Sequence, residues 1–392
     1  MRIGLVLSKP PAYSETFFKS KIQGLTENGH QVTLFCQERT ADFDLCPVKI
    51  LSKVYKNQLV QAIQICLGFI SLLTYLSRVK RFYKIEKDQG TESATIFKRI
   101  YLNAAFFKSK LDWVHFGFAT MALGRELIPK AIDAQCALSF RGFDIAIYPI
   151  KYPNCYDRLW SHINKVHTIS DDLLNIAYGL GLPKETAYQK ITPAIDVSNF
   201  KKASNEINDF SDKLQLLTVA RLHWKKGLID TLEGLVHLKK QNIKFQYTII
   251  GAGDQLEEIR FAVDQLDLSE QVHLFGKQPH DQVKSLMSKS HIYIQYSISE
   301  GFCNAVLEAQ AMGLLCVVSD AEGLPENVEH EVSGLVIPKR NPKALSEALL
   351  KLLQMNTEQR QIMSDNAIER VRSKFNLEDQ KAAFNSFYQL NK

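Results

Sequence analysis

Glu300 and Glu308 stand eight positions apart in SISEGFCNAVLEAQAMG, residues 297–313, on either side of a Gly-Phe-Cys-Asn step into a helix. Carboxylates are common near a helix start, where unpaired N–H groups and the macrodipole favour negative charge. A capped helix alone would account for them. The same arrangement also suits a phosphate cradle with a carboxylate on each side, and the cations decide between the two readings. Arg221 and Lys226 follow the apolar run LLTVA, and Gly227 opens the next helix. Gly251-Ala252-Gly253-Asp254 follows YTII, and the Glu300 stretch follows HIYIQY. In a parallel sheet these residues leave the carboxyl ends of successive strands, where ligands of such sheets bind. Two fixed cations and a helix N-terminus make a diphosphate site. Glu308, just over one turn into the helix, could then accept hydrogen bonds from ribose hydroxyls, and Glu300 from a sugar on the far phosphate. Singly, each residue is compatible with a solvated surface. Their order at strand ends carries the functional reading.

The elements that must position them follow an alternation of short apolar strand, turn and amphipathic helix, which predicts an α/β fold. In the first half the strands are IGLVL (3–7), QVTLFC (31–36), WVHFG (113–117), CALSFRG (136–142) and KVHTIS (165–170), with a helical stretch over about 57–108. The second half restarts with LQLLTVARL (214–222), FQYTIIGAG (245–253), QVHLFG (271–276), HIYIQY (291–296) and LLCVVSD (314–320). Such nearly continuous apolar strands fit parallel sheets covered on both faces. The polar segment 200–213 is the best linker. The expected architecture is two doubly wound Rossmann-like domains facing a cleft: residues 1–205, residues 206–375, and a C-terminal helix over 376–392 packing back on the first domain.

Bulk properties agree. A chain of 392 residues exceeds what one core usually supports. Its 45% hydrophobic and 23% charged residues exclude a disordered or fibrous protein. Residues 1–200 hold 25 Lys and Arg against 17 Asp and Glu, net +8; the remaining 23 against 25 give −2, summing to the overall +6. A basic first half suits an anionic surface or ligand. The basic residues form no clear patch interleaved with aromatics, so nucleic acid is disfavoured as a partner. Seven scattered cysteines without C-x-x-C or metal-ligand spacing fit reduced thiols of a cytoplasmic protein. The uncharged segment 59–77 precedes Arg78, Lys80, Arg81 and Lys84. It reads as a core helix of the first domain, with a helix lying on an anionic membrane surface as the alternative. A transmembrane span is disfavoured, because Gln61 and Gln64 would need buried partners.

VARLHWKKG, IIGAGDQLEEI, SISEGFCNAVLEAQAMG and VVSDAEGLPENVEHEVSGLVI resemble the successive signatures of glycosyltransferase family 4, retaining enzymes of the GT-B fold. GLTENGHQVTLF, VHTISDDLLNIAYGLGLP and ITPAIDVSNF extend the similarity into the first half. The resemblance implies that Arg221 and Lys226 neutralise the donor diphosphate. Gly301, Phe302, Cys303 and Asn304 would offer N–H groups to it, and Gly251 would lie at the same donor site. Glu300 would contact the donor sugar and Glu308 the ribose, with the loop from Lys277 flanking the nucleobase. No metal and no cofactor beyond the nucleotide-sugar donor are implied.

The segment Ser14-Glu15-Thr16-Phe17 is similar to the branch that builds bacterial exopolysaccharides of the colanic-acid type. That branch usually carries His-Gly-x-Asp where this chain has Arg141-Gly142-Phe143-Asp144, and Arg clamps anions rather than shuttling protons at neutral pH. Ser14, Glu15, Arg141 and Asp144 are therefore the acceptor-side candidates. Ala194 and Ala220 stand where the family pattern has glycine. The resulting expectation is a retaining, metal-independent transferase moving a sugar to a lipid-linked saccharide acceptor at the inner face of the plasma membrane. A GT-B epimerase and a non-catalytic sugar-nucleotide-binding subunit of a polysaccharide assembly complex are the alternatives.

Overall fold

A computed structural model describes residues 1–11, 16–40, 43–200, 210 and 213–389. It divides into two compact units, Met1–Ile191 with Gln380–Lys392, and Thr192–Asp379. The division falls nearer the N-terminus than residue 205. The reason is local: Ile195 N donates to Phe375 O (3.0 Å) and Ile195 bridges Asn376, so residues after Ile191 belong with the second unit. Most of the linker expected at 200–213 lies outside the described residues.

The first unit holds seven strands: β1 (Arg2–Val6), β2 (Gln31–Cys36), β3 (Val48–Ile50), β4 (Trp113–Phe116), β5 (Gln135–Phe140), β6 (Lys165–Thr168) and β7 (Ala187–Lys190). The second holds β8 (Leu214–Val219), β9 (Phe245–Ile250), β10 (Val272–Gly276), β11 (Ile292–Gln295), β12 (Leu315–Ser319) and β13 (Leu335–Ile337). Every pairing is parallel, in the orders β3-β2-β1-β4-β5-β6-β7 and β10-β9-β8-β11-β12-β13. The order reverses between β1 and β4 in one sheet and between β8 and β11 in the other. These are the topological switch points of the two sheets, where ligands of open α/β sheets bind.

Helices of eight residues or more in the first unit are α1 (Thr16–Glu27), α2 (Gln58–Ile70), α3 (Leu76–Asp88), α4 (Ser93–Leu102) and α5 (Asp171–Gly179). In the second they are α6 (Leu228–Lys240), α7 (Leu256–Gln265), α8 (His280–Met287), α9 (Asn304–Ala311), α10 (Pro342–Gln354) and α11 (Thr357–Lys374). The last helix, α12 (Leu377–Phe387), begins in the second unit and continues into the first. Its Phe384 and Phe387 join the core formed by β1, β2 and α1. In the second unit Leu228, Leu232, Leu235 and Leu238 of α6 bury one face against β8, β9 and β11. Each such side chain stabilises the fold by about 1.5–3 kcal/mol.

The stretch over 57–108 is not one helix but several. Asn57 caps α2 by accepting from Leu59 and Val60, the chain breaks at Ser71–Leu72, and α3 and α4 follow. The expectation of a core helix at 59–77 is overturned, because α2 has no buried residue at all.

Candidate active site

At the switch point of the second sheet, β8 is followed by Arg221 and a single turn of tight helix, Trp224–Lys226. Gly227 follows in the left-handed region (φ +59°), and a Cβ there would meet Tyr296 O at 2.1 Å. Only glycine lets this turn lie against the end of β11. The contact is stitched by Ile298 N and Ser299 N, both donating to Lys225 O (2.7 and 3.2 Å). Lys226 and Glu300 are thereby brought into a hydrogen-bonded ion pair, with side chains 17% and 14% exposed. Burial works against the Lys226 ammonium, but the Glu300 charge and hydrogen bond outweigh it and hold Lys226 above its ordinary value. Lys225 behaves oppositely: burial lowers it, Glu300 opposes that, and Arg221 and Lys226 add to the lowering. Arg221 is exposed and makes no ion pair among the described residues.

Beneath Glu300 runs a line of wholly buried polar side chains. Tyr293 OH donates to Gln295 Oε1 (3.1 Å), Gln295 Nε2 to Ser297 Oγ (2.8 Å), and Ser297 Oγ to Glu300 Oε2 (3.4 Å). Above it, Glu322 accepts from Glu300 N (2.5 Å) and is itself paired with Lys339 (3.2 Å). Gly323 N donates to Glu300 O (2.9 Å), and a Cβ at Gly323 would strike Gly301 O at 1.8 Å. Glu322 has φ +31°, an uncommon backbone setting for a non-glycine residue. Glu300 is thus fixed by Lys226 from the side and by Glu322 through its own backbone.

Of the four residues at the helix start, two are turned inward. Phe302 packs on Phe375 (5.6 Å between centroids), and Cys303 N donates to Asn327 Oδ1 (3.0 Å), with Asn327 Nδ2 returning a bond to Cys303 O (3.1 Å). The expectation that Cys303 offers its N–H to a ligand is corrected by this buried amide clasp. Burial also pushes the Cys303 thiol up to about 12. Gly301 and Asn304 remain half-exposed at the start of α9. Glu308 lies one turn further on, with His280 Nε2 of α8 at 3.7 Å. The hydrogen bond to Glu308 raises the His280 imidazolium above its usual value, against the effect of burial. Gly251 has φ +151° and packs on Ala220 O, where a Cβ would come within 1.8 Å, so it closes the β8–β9 ends together. Lys277 is exposed on the loop after β10. Among the described residues no group of three or more His, Cys, Asp and Glu side chains is placed to hold a metal.

The acceptor-side candidates fall differently. Ser14 and Glu15 lie outside the described residues. Arg141 sits with its guanidinium 3.9 Å from the ring centre of Phe17 and 4.7 Å from that of Phe18. Asp144 is wholly buried and accepts from Ala119 N (2.9 Å) and Arg141 N (3.0 Å). It anchors the loop after β5 rather than facing a ligand, which corrects its assignment as an acceptor contact. Burial raises the Asp144 carboxyl, with those N–H bonds opposing. Sequence reasoning missed Glu322, Lys339 and His280 in the second unit. It also missed a buried polar cluster in the first, in which Lys21 Nζ meets His115 (3.2 Å) and Ser139 Oγ links His115 to His167 (2.7 and 2.8 Å).

The family model described as "Glycosyl transferases group 1" matches residues 199–370, which contain every charged group of the switch point just described. Residues 199–370 are a group 1 glycosyltransferase domain. The chain is 32% identical over 257 residues to the amylovoran biosynthesis glycosyltransferase AmsK of Erwinia amylovora, covering 63% of this chain and 62% of that relative. It is 27% identical over 405 residues to the Escherichia coli K12 protein named "Putative colanic acid biosynthesis glycosyltransferase WcaL", covering 96% of each. Among solved structures it is similar to HepE of Anabaena in complex with UDP and glucose: TM-score 0.72, 14% identity, 98% of each chain covered. That likeness shows the fold, two Rossmann-like α/β domains.

Proposed function

We propose that this glycosyltransferase transfers a sugar from a nucleotide-sugar donor to a saccharide acceptor, with retention at the anomeric carbon and without a metal or other cofactor. The single observation that carries this is the β8–β11 switch point, where Arg221, Lys225 and Lys226 gather around Glu300 at the opening of α9. As the bond from C1 to the diphosphate oxygen breaks, its electron pair moves to the leaving nucleoside diphosphate. Fixed cations and the α9 dipole stabilise that growing charge, which lowers the barrier rather than merely holding the donor. The acceptor hydroxyl forms the new bond to C1 on the face the diphosphate leaves and gives up its proton to the departing diphosphate oxygen. Glu300, already braced on both sides, accepts from the donor sugar, and Glu308 accepts from the ribose.

The names of the relatives, amylovoran and colanic acid biosynthesis, favour a bacterial cell-surface polysaccharide as the product. The basic first half favours an acceptor carried on a lipid at the inner face of the plasma membrane. One observation favours a second reading, a donor-binding subunit without turnover: Arg141, where a histidine is usual in the resembling branch, is held on Phe17 and Phe18. The test is to incubate the protein with a panel of nucleotide sugars and follow hydrolysis and product anomer. Slow hydrolysis of one donor with retained configuration, lost in Glu300→Gln, is expected. Binding without turnover, even with membrane extract as acceptor, would leave the subunit reading instead.

A further inference from the structure

Helix α2 is amphipathic the wrong way round for a protein surface. Leu59, Val60, Ile63, Leu67 and Ile70 are exposed, from 38% at Val60 to 77% at Leu59. Its polar side chains turn inward instead: Gln61 Oε1 accepts from Tyr55 N (2.7 Å), and Gln64 lines a cleft behind the helix. The apolar face continues past the break through Leu73 and Leu76, both exposed. Surface helices normally show the reverse pattern, and a contiguous exposed apolar face marks an interaction site.

The cleft behind α2 measures about 420 Å3 and is lined by Lys53, Lys108, Gln64, Ser71, Tyr101 and Leu67 among others, with no carboxylate among the described residues of its wall. Lys108 Nζ donates to Ser71 Oγ (3.1 Å). The helix comes close to its floor at Gly68, where a Cβ would stand 3.1 Å from the Tyr101 ring. From residue 45 to residue 85 the chain carries Lys49, Lys53, Lys56, Arg78, Lys80, Arg81 and Lys84 and not one Asp or Glu. Three of these cations are occupied, Lys49 by Ser109 Oγ (2.7 Å), Arg78 by Phe107 O and Ser109 O and Arg81 by Asp133. Lys53, Lys56, Lys80 and Lys84 are exposed.

We propose that the α2 face docks on an anionic bilayer and that the cleft behind it takes a phosphate headgroup of that bilayer. An apolar stripe flanked by lysines is the pattern of a helix lying in a membrane interface, its hydrophobic side chains among the acyl chains and its cations at the headgroups. Charge argues against a second copy of the chain as the occupant. A two-fold interface places the same patch on both sides, and here it would oppose lysine to lysine. No single described helix is long and apolar enough to cross a membrane, and the pair Gln58–Ile70 and Leu73–Asp88 that passes together is bent by 48°. The proposal rests on the reading of a lipid-borne acceptor only for its biological motive.

The test is sedimentation of the full chain with vesicles of phosphatidylcholine alone and of phosphatidylcholine mixed with phosphatidylglycerol. The chain should bind the mixed vesicles roughly tenfold better. Ile63→Ser with Ile70→Ser should abolish binding to both, and Lys53→Gln with Lys108→Gln should remove the preference for phosphatidylglycerol. All four positions are exposed, so the variants keep their fold, which an unchanged melting temperature checks. Unimpaired vesicle binding by the isoleucine pair overturns the proposal. So does a dimer in sedimentation equilibrium that the same pair splits, or resistance of the bound chain to alkaline extraction, which would mean insertion. A melting shift with glycerol phosphate but no vesicle binding would assign the cleft to a soluble phosphate. Donor hydrolysis, measured without vesicles, reports on the transferase reading alone, so either idea can fail while the other stands.

Discussion

The two sheets share one topology, yet their switch points are finished in opposite ways. In the second unit the ends of β8 and β11 present Arg221, Lys225, Lys226 and Glu300, partly exposed and held in place from behind by a buried hydrogen-bond line. In the first, the described residues at the ends of β1 and β4 are packed closely against one another. Gly117 N donates to Val6 O (2.9 Å), and a Cβ on Gly117 would meet Leu7 at 2.3 Å. Phe17 and Phe18 fill the space beside them, with Arg141 spread over their rings. Charge in the first unit is spent on holding that unit together: Asp144 binds backbone N–H groups, and Lys21 is buried against His115. The lesson is that position at a strand end does not make a charged residue functional. What distinguishes the second unit is opposite charges facing one another where a ligand could separate them.

Substitutions can break or sharpen that contrast. The largest effect is expected at Lys226→Ala, which removes a fixed cation from the growing diphosphate charge. Donor turnover should fall by about 10²–10³-fold, within the range for losing one preorganised stabilising group, as measured by initial rates at saturating donor. Next comes Glu322→Ala, which frees the backbone of Glu300. It should lower kcat about tenfold with a smaller change in KM, as expected of a positioning residue. Glu322→Gln, which keeps an oxygen to accept from Glu300 N, should restore most of the rate. Equal losses in the two variants would mean that charge, not positioning, is what Glu322 supplies.

In the first unit the same kind of change should be felt as stability, not as turnover. Asp144→Ala leaves the N–H groups of Ala119 and Arg141 buried without an acceptor, a loss of about 1–3 kcal/mol for each group stranded. Denaturant melts measure it, and donor hydrolysis per folded molecule should not change.

A smaller effect is expected with pH. Burial, with Lys21 adding to it, holds His115 and His167 well below their ordinary values. Both stay neutral in the fold while the unfolded chain takes up protons below about pH 6.5. The unfolded state therefore binds more protons in that range, and stability must fall as pH falls through it. Melting temperatures should drop between pH 7 and pH 5, and His167→Gln should flatten the drop. A melting temperature that is level across that range would contradict the assignment of neutral histidines.

Much of this was legible in the sequence, and what was not has physical reasons. The central strands read clearly because apolar runs such as QVTLFC and FQYTII are buried on both faces of a parallel sheet. The edge strands β3, β7 and β13 did not. They are three or four residues long; VKI and AYQK are largely exposed, and LVI, though apolar, is too short to stand out from a loop. The Lys226–Glu300 pairing was foreshadowed by the order of strand ends, because topology, not local propensity, brings those ends together. Glu322 and His280 gave no comparable signal. Each is a single residue whose meaning comes from one contact across the sheet edge, although a third carboxylate just beyond LLCVVSD could have been noticed at the same edge. For α2 the helical periodicity is legible, but a core helix and an inside-out helix share the same hydrophobic pattern. Only the packing separates them.

The central claim is that the β8–β11 switch point is the donor site. The most direct measurement is calorimetric titration of the wild type, Lys226→Ala and Arg141→Ala with a panel of nucleoside diphosphates. One nucleotide should bind the wild type and Arg141→Ala alike, and bind Lys226→Ala at least tenfold more weakly, about 1.4 kcal/mol. Equal affinity of Lys226→Ala and the wild type, with the loss falling on Arg141→Ala instead, would contradict the account.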